Sequence, residues 1–143
     1  MILPDVNVLV YAHRREHTEH AEYAAWLGRV AESREPFALS EAVCSGFVRV
    51  VTNRRAFDPP TPLDLALEFV ERLRRRSRCT ILRPGPEHWS HFVELCRQSS
   101  ASGKLIAAAY HAALAIEHGC EWITVDADFS RFPGLRWRHP LKP

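Results

Sequence analysis

The stretch Ile2-Leu3-Pro4-Asp5-Val6-Asn7-Val8-Leu9-Val10-Tyr11-Ala12-His13 decides how the rest of the chain is read. Three residues suited to a buried strand run into an acid, and an apolar segment of helical length follows. Val6, Val8 and Val10 alternate and could prolong a strand, but a helix over 6–13 fits the sequence that follows better. The pattern then recurs. Phe37-Ala38-Leu39 leads to Ser40-Glu41, and Trp122-Ile123-Thr124-Val125 leads to Asp126. Between these runs lie helical stretches: Thr18–Glu32, with Ala21, Ala24, Ala25 and Leu27-Gly28 as its inner side, then a Ser40-capped helix to Val51. A helix from Thr61 or Pro62 into the arginine cluster, one over Glu87–Gln98 and one over Lys104–His118 complete the set, the last stopped by Gly119. Short strands are expected at Thr80–Leu82 and Leu135–Trp137. This alternation is the mark of an α/β domain with a mainly parallel sheet.

In an open parallel sheet, sites form beyond the carboxyl ends of the strands. Asp5, Glu41 and Asp126, distant in sequence, can therefore converge. Each also has a plain structural explanation. Asp5 and Asp126 suit capping positions, and Glu41 suits the positive end of a helix dipole. Grouped carboxylates repel unless a cation or shared protons offset their charge. Hard oxygen ligands select Mg²⁺ or Mn²⁺, which also engage phosphate, so the natural substrate class is a polyanion.

Composition narrows the alternatives. Of 143 residues, 46% are hydrophobic and 25% charged, the balance of a globular protein rather than a disordered one. No apolar run approaches a membrane span, and a secretory leader is missing from the start, so a cytoplasmic location is expected. Cys44, Cys79, Cys96 and Cys120 lack zinc or disulfide spacing and read as reduced thiols. His13, His17 and His20, or His88 with His91, fall at ligand-like spacings, but nothing completes a zinc site. No G-x-S-x-G elbow or Gly-rich phosphate loop occurs. The four tryptophans read as packing residues. Net charge is only +2, yet Arg72, Arg74, Arg75, Arg76, Arg78 and Arg83 crowd together, and Arg49, Arg54 and Arg55 form a second group. Such groups are either solvated helix faces or backbone contacts for nucleic acid.

Taken in order, these residues resemble the PIN-domain family, and within it the VapC-type toxins of bacterial toxin–antitoxin pairs. The likeness rests on Leu3–Leu9, Ser40-Glu41, Phe47–Asn53, Ala112–Gly119, Thr124–Phe129 and Phe132–Leu135. It implies one PIN domain over 1–143, a three-layer α/β/α sandwich and Mg²⁺- or Mn²⁺-dependent endoribonuclease activity. A homodimer, an RNA substrate such as tRNA or rRNA, and a VapB-type antitoxin partner are implied as well. Carried over by residue, Asp5, Glu41 and Asp126 match metal-site acids. Asp128 matches an auxiliary acid, and Asn7 and Thr124 match orienting positions. Arg14, Arg15, Arg49 and Arg75 are the candidate RNA contacts.

One carboxylate is missing. The family's third acid lies four residues before the Ala-Ala-Leu-Ala run, and that position is Ala108. Either the site is naturally degenerate or the acid was replaced to silence a toxin, and the otherwise intact motif favours replacement. In both cases catalysis is impaired. The rival reading is a non-catalytic PIN-like module that binds antitoxin or RNA. Structure-specific DNA cleavage on a related fold usually takes a longer chain.

Overall fold

A computed structural model describes residues 1–142; Pro143, the last position of the expected domain, lies outside the described residues. The chain runs β1 (Ile2–Pro4), α1 (Val6–His13), α2 (His20–Glu32), β2 (Phe37–Ser40), α3 (Glu41–Val51), α4 (Leu63–Arg74) and β3 (Cys79–Leu82). It continues with α5 (His88–Ser99), α6 (Lys104–Glu117), β4 (Glu121–Ile123), a short 3₁₀ turn (Ala127–Arg131) and β5 (Trp137–Arg138). All four strand pairings are parallel, in the order β3-β2-β1-β4-β5. Helices cover the sheet in a three-layer α/β/α sandwich.

The strands are apolar on both faces because both are covered. Leu3, Leu39, Trp122 and Ile123 are wholly buried. Residues 6–13 are helical despite their alternating valines: Asp5 has extended backbone and its carboxylate accepts from the Val6 amide, which starts the helix. Ser40 caps α3 in the same way, accepting from Val43 N–H at 2.9 Å. Gly119 takes the left-handed conformation after α6, with φ of 65°.

Several boundaries differ from the sequence reading. Helix α2 starts at His20 rather than Thr18, and its inner side is Tyr23, Trp26 and Leu27, with Ala21 and Ala25 exposed. The larger apolar groups remove more area from water than the alanines do, so they set the helix's rotation. Strand β4 ends at Ile123, which leaves Thr124 free to turn towards β1. The last strand is Trp137–Arg138 rather than Leu135–Trp137. Trp89 departs from the packing role expected of the tryptophans, being 65% exposed.

The sheet order fixes where a site can form. From β1 the chain moves to β2 and β3 on one side, then returns to β4 on the other. The strand order therefore reverses at β1, and the crevice lies at the carboxyl ends of β1 and β4. Asp5 and Thr124 are the residues that follow those two ends.

Candidate active site

Asp5 leaves β1 with its N–H donating to Ile123 O at 2.8 Å, which ties it to the end of β4. Its side chain is almost fully buried. Oδ1 accepts from the Val6 amide at 2.6 Å, and Oδ2 accepts from the Thr124 hydroxyl at 2.6 Å. Thr124 has no exposed surface, and its Oγ1 also accepts from Asp126 N–H at 3.1 Å. One threonine thus links the acids after β1 and β4.

Burial pushes the Asp5 carboxyl above the ordinary aspartate range, and the charge of Asp126 pushes the same way. The Thr124 and Val6 donors offset this only in part. Asp126 is exposed and its Oδ1 accepts from Asp128 N–H at 2.9 Å, so it also performs the capping role that its position allows. Asp128 is exposed on the 3₁₀ turn. Asn7 is exposed in the first turn of α1, and no hydrogen bond joins it to the acids among the described residues. Of these two polar residues, Thr124 is the one that bonds to Asp5 among the described residues.

Glu41 begins α3 at the end of β2, but its carboxylate is engaged elsewhere. Arg83 grips it through two bonds, Nε to Oε1 at 2.6 Å and Nη2 to Oε2 at 3.1 Å, and Arg74 approaches to 3.9 Å. The Arg83 bonds hold the Glu41 carboxyl below its ordinary range. Sequence reasoning had grouped Arg83 with the basic cluster and missed this contact, since nothing in residue order marks a pairing across 42 positions.

Ala108 lies half-buried on α6, packed against the core, and contributes no ligand atom. Among the described residues, no group of three or more His, Cys, Asp or Glu side chains is placed to hold a metal. What remains is the Asp5–Asp126 pair, two hard-oxygen donors whose mutual repulsion a cation would relieve. Mg²⁺ commonly uses one or two carboxylates together with substrate phosphate. The pair offers hard oxygens of the kind a divalent ion takes, while the Glu41 carboxylate is held by Arg83.

The candidate RNA-contacting arginines separate. Arg14 is committed within the protein: it pairs with Glu16, donates to Thr61 Oγ1 at 3.0 Å and Pro59 O at 2.9 Å, and lies 4.4 Å from the centroid of the Phe57 ring. It braces the loop before α4. Arg75 is exposed but pairs with Glu68 at 2.9 Å. Arg15 and Arg49 are exposed, and no ion pair engages either among the described residues. Three of the candidate histidines are likewise occupied. His13 meets Thr61 Oγ1 at 3.0 Å, His20 meets Tyr11 O at 2.9 Å and His88 meets Tyr110 O at 2.9 Å. All four cysteines are free.

A PIN-domain family model matches residues 2–135. The chain belongs to the PIN-domain family. Within it, the chain is 47% identical over 141 residues to VapC ribonuclease Mb2897 of Mycobacterium bovis, covering 99% of this chain and 96% of that one. It is 39% identical over 140 residues to Ribonuclease VapC25 of Mycobacterium tuberculosis, covering 98% and 99%. These relatives place it in the VapC branch of the family. Solved structures share the fold at lower identity. VapBC2 from Rickettsia felis, bound to a DNA fragment from its promoter, matches with a TM-score of 0.70 and 19% identity, over 97% of this chain and 98% of that one. VapC20 of Mycobacterium tuberculosis, a sarcin-ricin loop cleaving toxin, matches with a TM-score of 0.65 and 15% identity, over 95% and 99%.

Proposed function

We propose that this chain, one domain over 1–143, is a VapC-type endoribonuclease toxin whose site lacks one carboxylate. On this reading it engages cellular RNA, such as tRNA or rRNA, and cleaves it weakly or not at all. The observation that carries the reading is the Thr124-linked Asp5–Asp126 pair, held where the strand order reverses, with Ala108 at the family's third acidic position. Mg²⁺ or Mn²⁺ is the cofactor. A VapB-type antitoxin and a second copy of the chain are its partners, in the cytoplasm. No described helix is long and apolar enough to cross a membrane.

A divalent ion bound by the acids supplies positive charge against the oxygens of a phosphodiester in displacement. The chain's own residues prepare for that. The Val6 amide and the Thr124 hydroxyl hold Asp5 in one orientation, so its carboxylate loses little freedom on meeting a ligand. Thr124 also fixes the backbone at Asp126. Arg15 and Arg49 remain available to the RNA backbone, each adding about one charge to the salt dependence of binding.

Ala108→Asp tests the reading. The variant should show RNA cleavage that needs Mg²⁺ or Mn²⁺, stops with EDTA, and disappears when Asp5→Asn is added. Cleavage unchanged by the substitution and indifferent to EDTA would overturn it. Binding of RNA or antitoxin without cleavage in Ala108→Asp would favour the non-catalytic module instead.

A further inference from the structure

A groove of about 380 Å³ lies between α3 and α6, lined by Val6, Ala42, Ser45 and Gly46 and by Arg49, Ala107, Tyr110 and His111. Val6 follows Asp5 and Ala42 follows Glu41, so the groove borders the acidic site. Its size falls within the range of small-ligand pockets, roughly 300–1,000 Å³. Three of its side chains have no other evident task.

Arg49 is exposed on the last turn of α3. Arg14, Arg74, Arg75, Arg83 and Arg138 each pair with a glutamate, whereas no ion pair engages Arg49 among the described residues. Tyr110 exposes 37% of its surface, and its ring is braced from behind by His88 at 4.4 Å and Phe92 at 5.8 Å between centroids. That is an aromatic face held in place before anything stacks on it. His111 lies over Trp122, with centroids 5.4 Å apart and planes 18° from parallel, and its buried Nδ1 meets no hydrogen-bond partner. Burial, reinforced by His88, brings its pKa down to about 4, so near neutral pH the ring carries no charge. A neutral imidazole has one donor and one acceptor, and with Nδ1 buried it is the ring edge lining the groove that a base would meet. It stands one helical turn from Ala108, so an uncharged polar group remains on α6 where the carboxylate is missing.

We propose that this groove is a nucleotide subsite for single-stranded RNA, with Arg49 taking a phosphate and Tyr110 and His111 taking the adjoining base. A guanidinium beside an aromatic platform is the usual pairing of charge and stacking for an unpaired strand. The inference rests on the reading of the chain as an RNA-directed protein, and the experiment separates the two.

Fluorescence anisotropy with a labelled single-stranded RNA, in EDTA so that no cleavage intervenes, compares the unaltered chain with Arg49→Ala, Tyr110→Ala and Arg15→Ala. Both groove positions are exposed, and circular dichroism of each variant checks that the fold is kept. Tyr110→Ala should weaken binding ~5- to 100-fold. Arg49→Ala should lower the slope of log affinity against log salt by about 0.7. In parallel, the imidazole resonances of His111 should shift on titration with a nucleoside monophosphate, which reads this residue without disturbing its packing. If RNA binds but both groove variants match the unaltered chain and His111 stays silent, the subsite falls while the RNA reading stands, most directly if Arg15→Ala alone weakens binding. If no RNA binds to any of them, the functional reading falls with the subsite.

Discussion

The hydroxyl of Thr124 donates to Oδ2 of Asp5 at 2.6 Å across 119 residues of chain, and neither side chain has appreciable contact with solvent. This bond joins the two strand ends that define the site. Thr124→Val keeps the shape and removes the donor, leaving Asp5 buried with one partner fewer. The expected cost is about 2 kcal/mol of stability, the usual range for a buried bond to a charged group. Asp5 should also titrate higher. Urea unfolding at pH 7, with the Asp5 carboxyl followed by NMR, checks both, and an unchanged midpoint would discount the bond.

Arg83 occupies both carboxylate oxygens of Glu41, the acid that follows β2. The pair is exposed, so Arg83→Ala should leave thermal unfolding almost unchanged. Mn²⁺ binding should tighten several-fold, because a third carboxylate becomes available. Isothermal titration with Mn²⁺ makes the comparison. Equal affinities would mean that Glu41 takes no part in the metal site even when free.

His111 gives the fold a defined acid limb. Its pKa lies at about 4 in the folded chain against an ordinary value of 6.5. Between those values the unfolded chain takes up a proton that the folded chain does not. The stability His111 confers is therefore complete above pH 6.5, falls as the pH drops and levels off below 4. The full effect is at most ~3 kcal/mol. His111→Gln should have a flatter stability profile than the parent from pH 7 to 5, and identical profiles would contradict the assignment.

Glu117 ends α6 as a clamp on the loop before α5. Its two carboxylate oxygens accept from the amides of Gly85 at 2.9 Å and Glu87 at 3.0 Å. Burial works against the charge, but those amides, with His118 and His88 nearby, keep the carboxyl below the ordinary glutamate range. Its stabilisation is thus present above that range and lost as the pH falls through it. Glu117→Gln leaves one acceptor for two donors and should cost about 1–2 kcal/mol. Hydrogen exchange at the Gly85 and Glu87 amides should quicken in the variant.

Much of this was legible in residue order, for physical reasons. Buried strands bounded by acids, helices between them, and Ser40 and Gly119 as start and stop signals follow from local chemistry. The expectation of an acid where Ala108 stands came from the family pattern alone, since nothing in the local sequence asks for one. Other features depend on side-chain direction. The grip of Arg83 on Glu41 and the clamp of Glu117 join elements far apart in sequence, and residue spacing does not encode them. Arg14 looked like one more surface cation until Thr61, Pro59 and Phe57 enclosed it. The inner side of α2 is a different case: Leu27 was expected there, and Tyr23 and Trp26 at i−4 and i−1 from it carry the same signal, which the smaller alanines obscure.

The central place of β1 has a consequence for how the protein comes into being. Asp5 is synthesised 119 residues before Thr124, the residue whose hydroxyl it accepts from. At roughly 5–20 residues per second, the first strand waits about 6–24 s for the partner that completes the centre. Until then one flank of β1 is an open edge and its aspartate lacks the hydroxyl that orients it. A nascent chain that stops short of Thr124 therefore lacks the bond that orients Asp5, so the two strand ends are joined late in synthesis however early the first strand is made.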